Sequence, residues 1–194
     1  MSTSKVQIAN VALSRLGQTS INALDEGTEQ ANLVRNFWDH TREFLLHLHP
    51  WNFAIKREQL ARLASNPLSG YDYQYALPTD NIRTLLVTSD EDDTNYIEDY
   101  RVEGGNILTD SEEVWLKYVF NNDVVATWPP LFREVFASRL QVELAYPITK
   151  AANVIDQATA LYLDALRKAK NVDGQQDYHD PLGGVYSDFI GVRY

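Results

Sequence analysis

Histidines are the residues in this chain whose type is best suited to holding a metal ion. The sequence has four, His40, His47, His49 and His179. His40 and His47 would share one face of a helix, but their spacing separates them by about 10 Å along the axis, too far for one metal ion. No H-E-x-x-H pattern occurs, and the absence of cysteine removes thiolate ligands. The sequence therefore predicts neither a metal site nor a cofactor.

Paired carboxylates provide the one catalytic alternative. Hydrolysis of a glycosidic bond needs two carboxyl groups about 5 Å or about 6.5–9.5 Å apart, one of them in an apolar setting that raises its pKa. Glu112 and Glu113 lie next to Trp115, whose ring would suit a sugar. A hydrolase of peptidoglycan or another glycan therefore stays open as the alternative. Acidic pairs in loops are mostly solvated, and no phosphate-binding glycine loop or G-x-S-x-G elbow occurs. The prediction is a protein that is not an enzyme and has no catalytic residues.

The segment His49-Pro50-Trp51-Asn52-Phe53-Ala54 has features of a structural link. Pro50 cannot continue a helix and favours an extended conformation at the residue before it. Trp51 and Phe53 are two residues apart, so both would face the same side of an extended link and pin it to the helices. The pattern predicts a packing role for Pro50, Trp51 and Phe53.

Four segments have the periodicity of amphipathic helices. They are residues 4–16, 28–49, 130–146 and 149–171. Their predicted N-terminal caps are Ser4, Thr28 and Thr149, and their predicted stops are Gly17, Pro50 and Pro147. The buried stripe of the second helix is predicted to contain Ala31, Val34, Trp38, Thr41, Leu45 and Leu48. Because each apolar stripe must be buried against another, we expect a four-helix bundle.

The residues between the helix pairs predict a small antiparallel β insertion over 71–120. The predicted strands are 71–77, 82–88, 96–103, 106–109 and 114–120. Gly104-Gly105 predicts a tight hairpin because glycine tolerates the positive φ of primed turns. Leu77, Pro78 and Asp80, in the segment Leu-Pro-Thr-Asp, would end a strand in a turn that Asp80 caps. The predicted fold class is therefore mainly α, a four-helix bundle with a β insertion and an extended C-terminal tail.

The last residues, 175–194, are predicted to be a tail separate from a domain at 1–174. Its glycines and proline argue against regular structure, but it is unusually rich in aromatic and β-branched residues for a solvated tail. The residues predicted to contact a partner are Tyr178, Tyr186, Phe189, Ile190 and Tyr194. Packing of the tail against its own bundle is the alternative.

Composition limits the classes of partner. The chain of 194 residues has 17 basic and 27 acidic residues and a net charge of −10, with no basic cluster of the kind that binds a phosphate backbone. An acidic subunit would suit a passage that repels DNA. No apolar run approaches the roughly 20 residues that span a bilayer, and the N-terminus has no signal-peptide pattern. We expect no membrane partner.

Three segments and their order resemble a known family. The chain opens with Val6 to Gly17, continues with the Pro-Trp-Asn-Phe-Ala link, and then has Tyr73-Gln74-Tyr75-Ala76-Leu77-Pro78-Thr79-Asp80. Together these are similar to the tail tubular protein A, or head-to-tail adaptor, family of short-tailed bacteriophages. The resemblance covers nearly the whole chain in order.

The resemblance implies a structural role in the virion. Members of such a family form a dodecameric ring beneath the portal protein and continue the DNA channel to the tail tube or nozzle protein. The C-terminal segment commonly reaches the portal. The expected partners are copies of the chain itself, the portal and the tail tube or nozzle protein, with DNA passing through without specific binding. The expected location is the head–tail junction, after synthesis in the host cytoplasm. In this setting, the alternative function is that of a cell-wall hydrolase associated with the phage tail.

Overall fold

The computed structural model describes residues 4–68 and 70–176, and all structural statements refer to these residues. The helices are α1 (Lys5–Arg15), α2 (Glu29–Leu48), α3 (Pro130–Thr149) and α4 (Ala152–Gly174), with short 3-10 turns at Asn52–Ala54 and Val125–Thr127. The strands are β1 (Ile55–Gln59), β2 (Tyr73–Ala76), β3 (Asn81–Thr88), β4 (Arg101–Glu103), β5 (Asn106–Thr109) and β6 (Trp115–Phe120). The predicted tail contacts Tyr178, Tyr186, Phe189, Ile190 and Tyr194, and His179, lie outside the described residues.

Local capping signals decide where the first two helices begin. The Ser4 side chain accepts a hydrogen bond from the Gln7 backbone N–H, and the Gln7 side chain returns one from the Ser4 N–H, which completes a capping box. The Thr28 side chain accepts from the Ala31 N–H at the start of α2. Gly17, with a φ of +70°, follows α1 in a conformation that favours glycine. The predictions for these helix ends are confirmed.

The boundary between α3 and α4 differs from the prediction. Pro147 lies inside α3, which continues to Thr149, and Lys150 then adopts a left-handed conformation. Thr149 does not cap α4, because its hydroxyl donates to the Ala145 carbonyl and α4 starts after Ala151. Pro147 removes one backbone hydrogen bond from α3, but the helix has only two residues left, and the Lys150 N–H still donates to the Tyr146 carbonyl at 3.0 Å.

Helix α3 is the central helix and packs against α1, α2 and α4. It buries Phe132, Val135, Phe136, Leu140 and Leu144, the stripe expected for its period. Trp38 of α2 and Trp128, just before α3, stack with their ring centroids 6.3 Å apart, and both contact Phe136. These aromatic contacts join the two halves of the chain around α3.

The β region consists of two three-stranded antiparallel sheets, with strand orders β1-β6-β3 and β2-β5-β4. Gly104 and Gly105 form the predicted two-residue turn between β4 and β5, with φ of +58° and +80°. The two sheets share a second apolar core. Its buried members are Leu60, Tyr75, Val87, Ile107, Val114, Leu116 and Tyr118.

The predicted fold class is wrong: the molecule is a mixed α/β fold and not a mainly helical bundle with a small β excursion. Strand β1 was not predicted, since only one residue of Ile55–Gln59 is apolar and the strand pairs with β6 through its backbone. Buried Val119 of β6 belongs to the same core as the four helices, with Ile82 and Leu85 packed on it. The sheet β1-β6-β3 is therefore part of the main core. Within the described part of the chain, no helix has both the length and the apolarity to cross a membrane.

Candidate docking surfaces

The link after α2 lies against α3. Trp51 is 2% exposed, and its Nε1 donates to the Leu45 carbonyl at 2.8 Å. The ring centroids of Trp51 and Phe53 lie 5.1 Å and 4.7 Å from that of Phe132. The backbone is extended at His49 before Pro50, and it then forms a 3-10 turn where an extended link was expected. Both aromatic rings still meet the same partner on α3.

Asp173, which the sequence did not single out, fastens this link to the end of α4. Its Oδ2 lies 3.0 Å from His49 Nε2, and its Oδ1 accepts from the Asn52 backbone N–H at 3.3 Å. Asn52 Nδ2 donates to the Asp173 carbonyl at 2.9 Å. Asp173 is 9% exposed, so these hydrogen bonds compensate a largely buried carboxylate. The position and direction of the end of α4 therefore depend on this contact.

The Leu77-Pro78-Thr79-Asp80 segment joins the two sheets. The Leu77 N–H donates to the Gly105 carbonyl in the β4–β5 hairpin, at 2.9 Å. The Asp80 side chain does not cap a turn as expected. It accepts from Lys56 Nζ at 2.6 Å and from the Tyr118 hydroxyl at 3.1 Å, which lie on β1 and β6. The segment does end β2 in the predicted turn, closed by the Asn81 N–H, which donates to the Pro78 carbonyl at 3.0 Å. The Asp80 side chain then adds a bridge between elements that the sequence did not predict.

The same contacts change the acidity of both groups. Burial acts to raise the pKa of Asp80, but hydrogen bonds from Lys56 and Tyr118 outweigh it and lower the pKa below its ordinary value of 3.8. Burial and the neighbouring Asp80 and Glu58 carboxylates raise the pKa of the Tyr118 hydroxyl. Asp80 is therefore held as a carboxylate and Tyr118 as a neutral donor, which is the arrangement for a structural bridge.

The residues proposed for catalysis are not gathered into a cleft. Glu112 and Glu113 are exposed in the loop between β5 and β6, so neither has the apolar setting that a glycosidase acid requires. The geometry adds no support to the hydrolase alternative. Among residues 4–68 and 70–176, no three His, Cys, Asp or Glu side chains come together in a way that would hold a metal ion.

A groove of about 450 Å³, here called the α3–α4 groove, runs between α3 and α4 beside the end of α1. Leu131 and Leu161 lie on its walls and are 39% and 56% exposed. On its α1 side, Arg15 pairs with Glu134 at 2.6 Å and donates to the Ser138 hydroxyl at 3.0 Å. The groove combines exposed apolar walls with a fixed polar side, which is typical of a surface that binds protein.

The buried amide of Gln141 also lines the α3–α4 groove. The residue is 5% exposed, and its Oε1 accepts no hydrogen bond from any residue in the described part of the chain. Buried acceptors are nearly always paired in folded proteins. Among residues 4–68 and 70–176, this oxygen therefore has an acceptor capacity that no donor uses.

A smaller apolar depression of about 160 Å³, here called the terminal pocket, adjoins the groove. Leu131 lines both. The terminal pocket also includes Trp51, Phe132 and Val172, and it extends to Gln176, where the described chain stops. The two depressions therefore lie one after the other along α4.

A third depression, the α2 groove of about 380 Å³, lies between α2 and the start of β3. His40 and His47 line it, together with Phe44, Leu48 and Ile82. Leu48 was predicted to be buried with the rest of its helix stripe but is 38% exposed, and Phe44 is 39% exposed. The α2 groove is built from elements that do not contribute to the α3–α4 groove.

Comparisons with known proteins do not indicate a function. The chain matches no protein-family model and no curated protein sequence.

Proposed function

We propose that this chain is a structural ring subunit of a short-tailed bacteriophage, an adaptor that joins the portal to the tail tube or nozzle. The observation that carries the proposal is the pair of unlike depressions, the α3–α4 groove and the α2 groove. Each has an exposed leucine on its wall, Leu161 in one and Leu48 in the other. Identical subunits that meet through two unlike surfaces close into a ring when the rotation between neighbours allows it.

The family resemblance supports the phage setting of this ring. Four parts of the proposal come from this resemblance alone. They are the dodecameric state, the portal above the ring, the tail tube or nozzle below it, and the location at the head–tail junction. The aromatic tail, with Tyr178, Tyr186, Phe189, Ile190 and Tyr194, is the segment proposed to bind the portal. Buried aromatic side chains contribute much of the affinity of protein interfaces.

Charge supports a channel that does not retain DNA. The net charge is −10, and several arginines are held by carboxylates: Arg15 by Glu134, Arg42 by Asp39 and Arg139 by Glu143. Affinity for DNA depends on basic side chains that neutralise phosphates and release counterions. An acidic ring would let DNA pass without specific binding.

The ring is tested with charge substitutions on the two surfaces. Purified protein is mixed with the portal protein of the same phage and examined by sedimentation and negative-stain electron microscopy. Leu161→Glu and Leu48→Glu should each prevent ring formation, because each places a charge in one side of the contact. Leu163→Glu is the matched control, since Leu163 is 55% exposed on α4 but does not line the groove.

An equimolar mixture of the Leu161→Glu and Leu48→Glu proteins gives a sharper outcome. The Leu161→Glu protein keeps an intact α2 groove and the Leu48→Glu protein keeps an intact α3–α4 groove. One of each can therefore form a dimer through these two surfaces, but no ring can close. Rings that persist with both substitutions would contradict these surfaces as the subunit contact. Failure of the unsubstituted protein to bind the portal would contradict the adaptor function.

A further inference from the structure

The α3–α4 groove and the terminal pocket form a continuous path along one helix. Residues 154–168 of α4 contribute to the groove, and residues 169–176 contribute to the terminal pocket. Leu131 of α3 lines both, so the two depressions adjoin at this residue. The path ends at Gln176, where the rest of the chain begins.

The rest of the chain is long enough to occupy this path. Residues 177–194 follow Gln176, and an extended segment of that length spans up to about 60 Å. Helix α4 has 23 residues and is about 35 Å long. A segment that turns back at Gln176 can therefore follow the terminal pocket and the full length of the groove.

One residue that lines the groove, Gln141, has a buried side-chain oxygen without a donor among the described residues. An extended peptide carries a backbone N–H at every residue except proline, so a docked segment brings donors to this part of the groove. The apolar walls at Leu131, Leu161 and Val172 suit the tail's aromatic and β-branched side chains, such as Tyr186 and Phe189. A segment with both kinds of group would pack against the apolar walls and bring backbone donors to the part of the groove that Gln141 lines.

We propose that residues 177–194 bind in the α3–α4 groove and terminal pocket of their own chain before assembly. The tail then covers Leu161, one side of the subunit contact, and keeps the free chain from assembling. This regulatory consequence rests on the proposed adaptor function, because it is the portal that would remove the tail from the groove. Docking of the tail in the isolated chain does not depend on that function.

Docking is measured by paramagnetic broadening in the isolated, full-length chain. The chain has no cysteine, so Ser187→Cys provides a single attachment point for a nitroxide in the tail. In a dilute ¹⁵N-enriched sample, amides of residues 131–141 and 154–168 should lose most of their intensity. Amides of β4 and β5, which contribute no residue to the groove, should keep theirs.

A second sample distinguishes the tail's own groove from that of another copy. Unenriched nitroxide-labelled protein is mixed with enriched, unlabelled protein, and the groove amides should then stay sharp. Broadening in this mixture would replace the proposal with docking onto a second copy. Sharp groove amides in both samples would overturn it altogether.

The matched pair on α4 provides the specificity control in the labelled chain. Leu161→Glu should abolish the broadening, whereas Leu163→Glu should retain it, and both leucines are exposed enough for the variants to fold. Circular dichroism confirms the fold of each variant. Equal broadening in both variants would show that the tail does not use the groove. None of these measurements includes the portal. Tail docking can therefore fail while the adaptor function holds, and the adaptor function can fail while tail docking holds.

Discussion

Asp173 is a carboxylate near the C-terminal end of a helix, where the helix dipole disfavours negative charge. Two groups from the link after α2 compensate this unfavourable interaction. They are His49 Nε2, 3.0 Å from the carboxylate, and the Asn52 backbone N–H, which donates to it. Because the residue is 9% exposed, removal of its side chain leaves those groups without their acceptor. The contact holds the part of α4 from which the tail continues.

Asp173→Ala should lower the free energy of unfolding by about 2 kcal/mol, since two polar groups lose a largely buried partner. For a chain of this size, that corresponds to a fall in melting temperature of roughly 4–8 °C. Asp164→Ala is the control on the same helix, where the carboxylate is 41% exposed and pairs with Arg167 and Lys168. It should leave the melting temperature nearly unchanged. Equal effects of the two substitutions would contradict the role of the junction.

Asp80 provides a pH-dependent contribution to stability. Its pKa is lower in the folded chain than its ordinary value of 3.8, so folding favours the carboxylate. The contribution is complete above that ordinary value, which applies to the unfolded chain, and is lost as the pH falls toward the folded pKa. The bridge to Lys56 and Tyr118 should therefore weaken in acid.

The test compares urea unfolding of the unsubstituted chain and Asp80→Asn at near-neutral and acidic pH. The variant should be less stable near pH 6, and the difference should shrink as the pH falls through about 4 and below. Lys56→Gln should reduce the same pH dependence, because Lys56 Nζ lies 2.6 Å from the Asp80 carboxylate. A difference that is independent of pH would contradict this account.

At the scale of elements, the sheet β1-β6-β3 shares its core with the helices. Val119 on β6 is fully buried in the core that contains Leu13 of α1, Leu45 of α2 and Leu140 of α3. A sheet that forms one side of the main core cannot unfold while the helices keep their packing. We therefore expect sheet and helices to unfold together.

Val119→Ala should lower the stability by about 2 kcal/mol, through lost apolar contacts and the cavity that remains. Thermal midpoints from far-ultraviolet circular dichroism and from tryptophan fluorescence should fall together. Val102→Ala is the same substitution on β4, where the side chain is 49% exposed, and it should change neither midpoint appreciably. Two separate transitions would indicate that the β region unfolds independently of the helices.

At the scale of the whole molecule, the helices and the sheet β1-β6-β3 share one core. Among the described residues, the buried members of that core run from Ile8 to Ala169, and we expect them to fold without residues 177–194. In the proposed assembly, those residues bind first in the α3–α4 groove and then to the portal.

Deletion of residues 177–194 should leave a single cooperative thermal transition and abolish portal binding. Hydrogen exchange should become faster in residues 154–168, because the α3–α4 groove loses its cover. These results are read by calorimetry, co-sedimentation and exchange mass spectrometry. Loss of the cooperative transition would mean instead that the tail is an integral strap of the fold.

Signals that act within a few residues determined much of the local structure from the sequence. Ser4 and Thr28 cap their helices with hydrogen bonds to backbone three residues away, and Gly104 and Gly105 adopt the positive φ that the hairpin needs. Most of the buried stripe of α2 also followed from sequence, since a helix repeats every 3.6 residues in any context.

Tertiary structure alone decided the features that depend on distant partners. Strand β1 has almost no apolar pattern and exists because β6, some 60 residues later, supplies backbone pairing. Asp173 and His49 are 124 residues apart, and Asp80 meets Lys56 and Tyr118 instead of its own turn. The grooves also arise only where helices pack, because a depression is the space between elements. Residue types can indicate local hydrogen bonds and faces, but which faces meet is set by the packing of the whole chain.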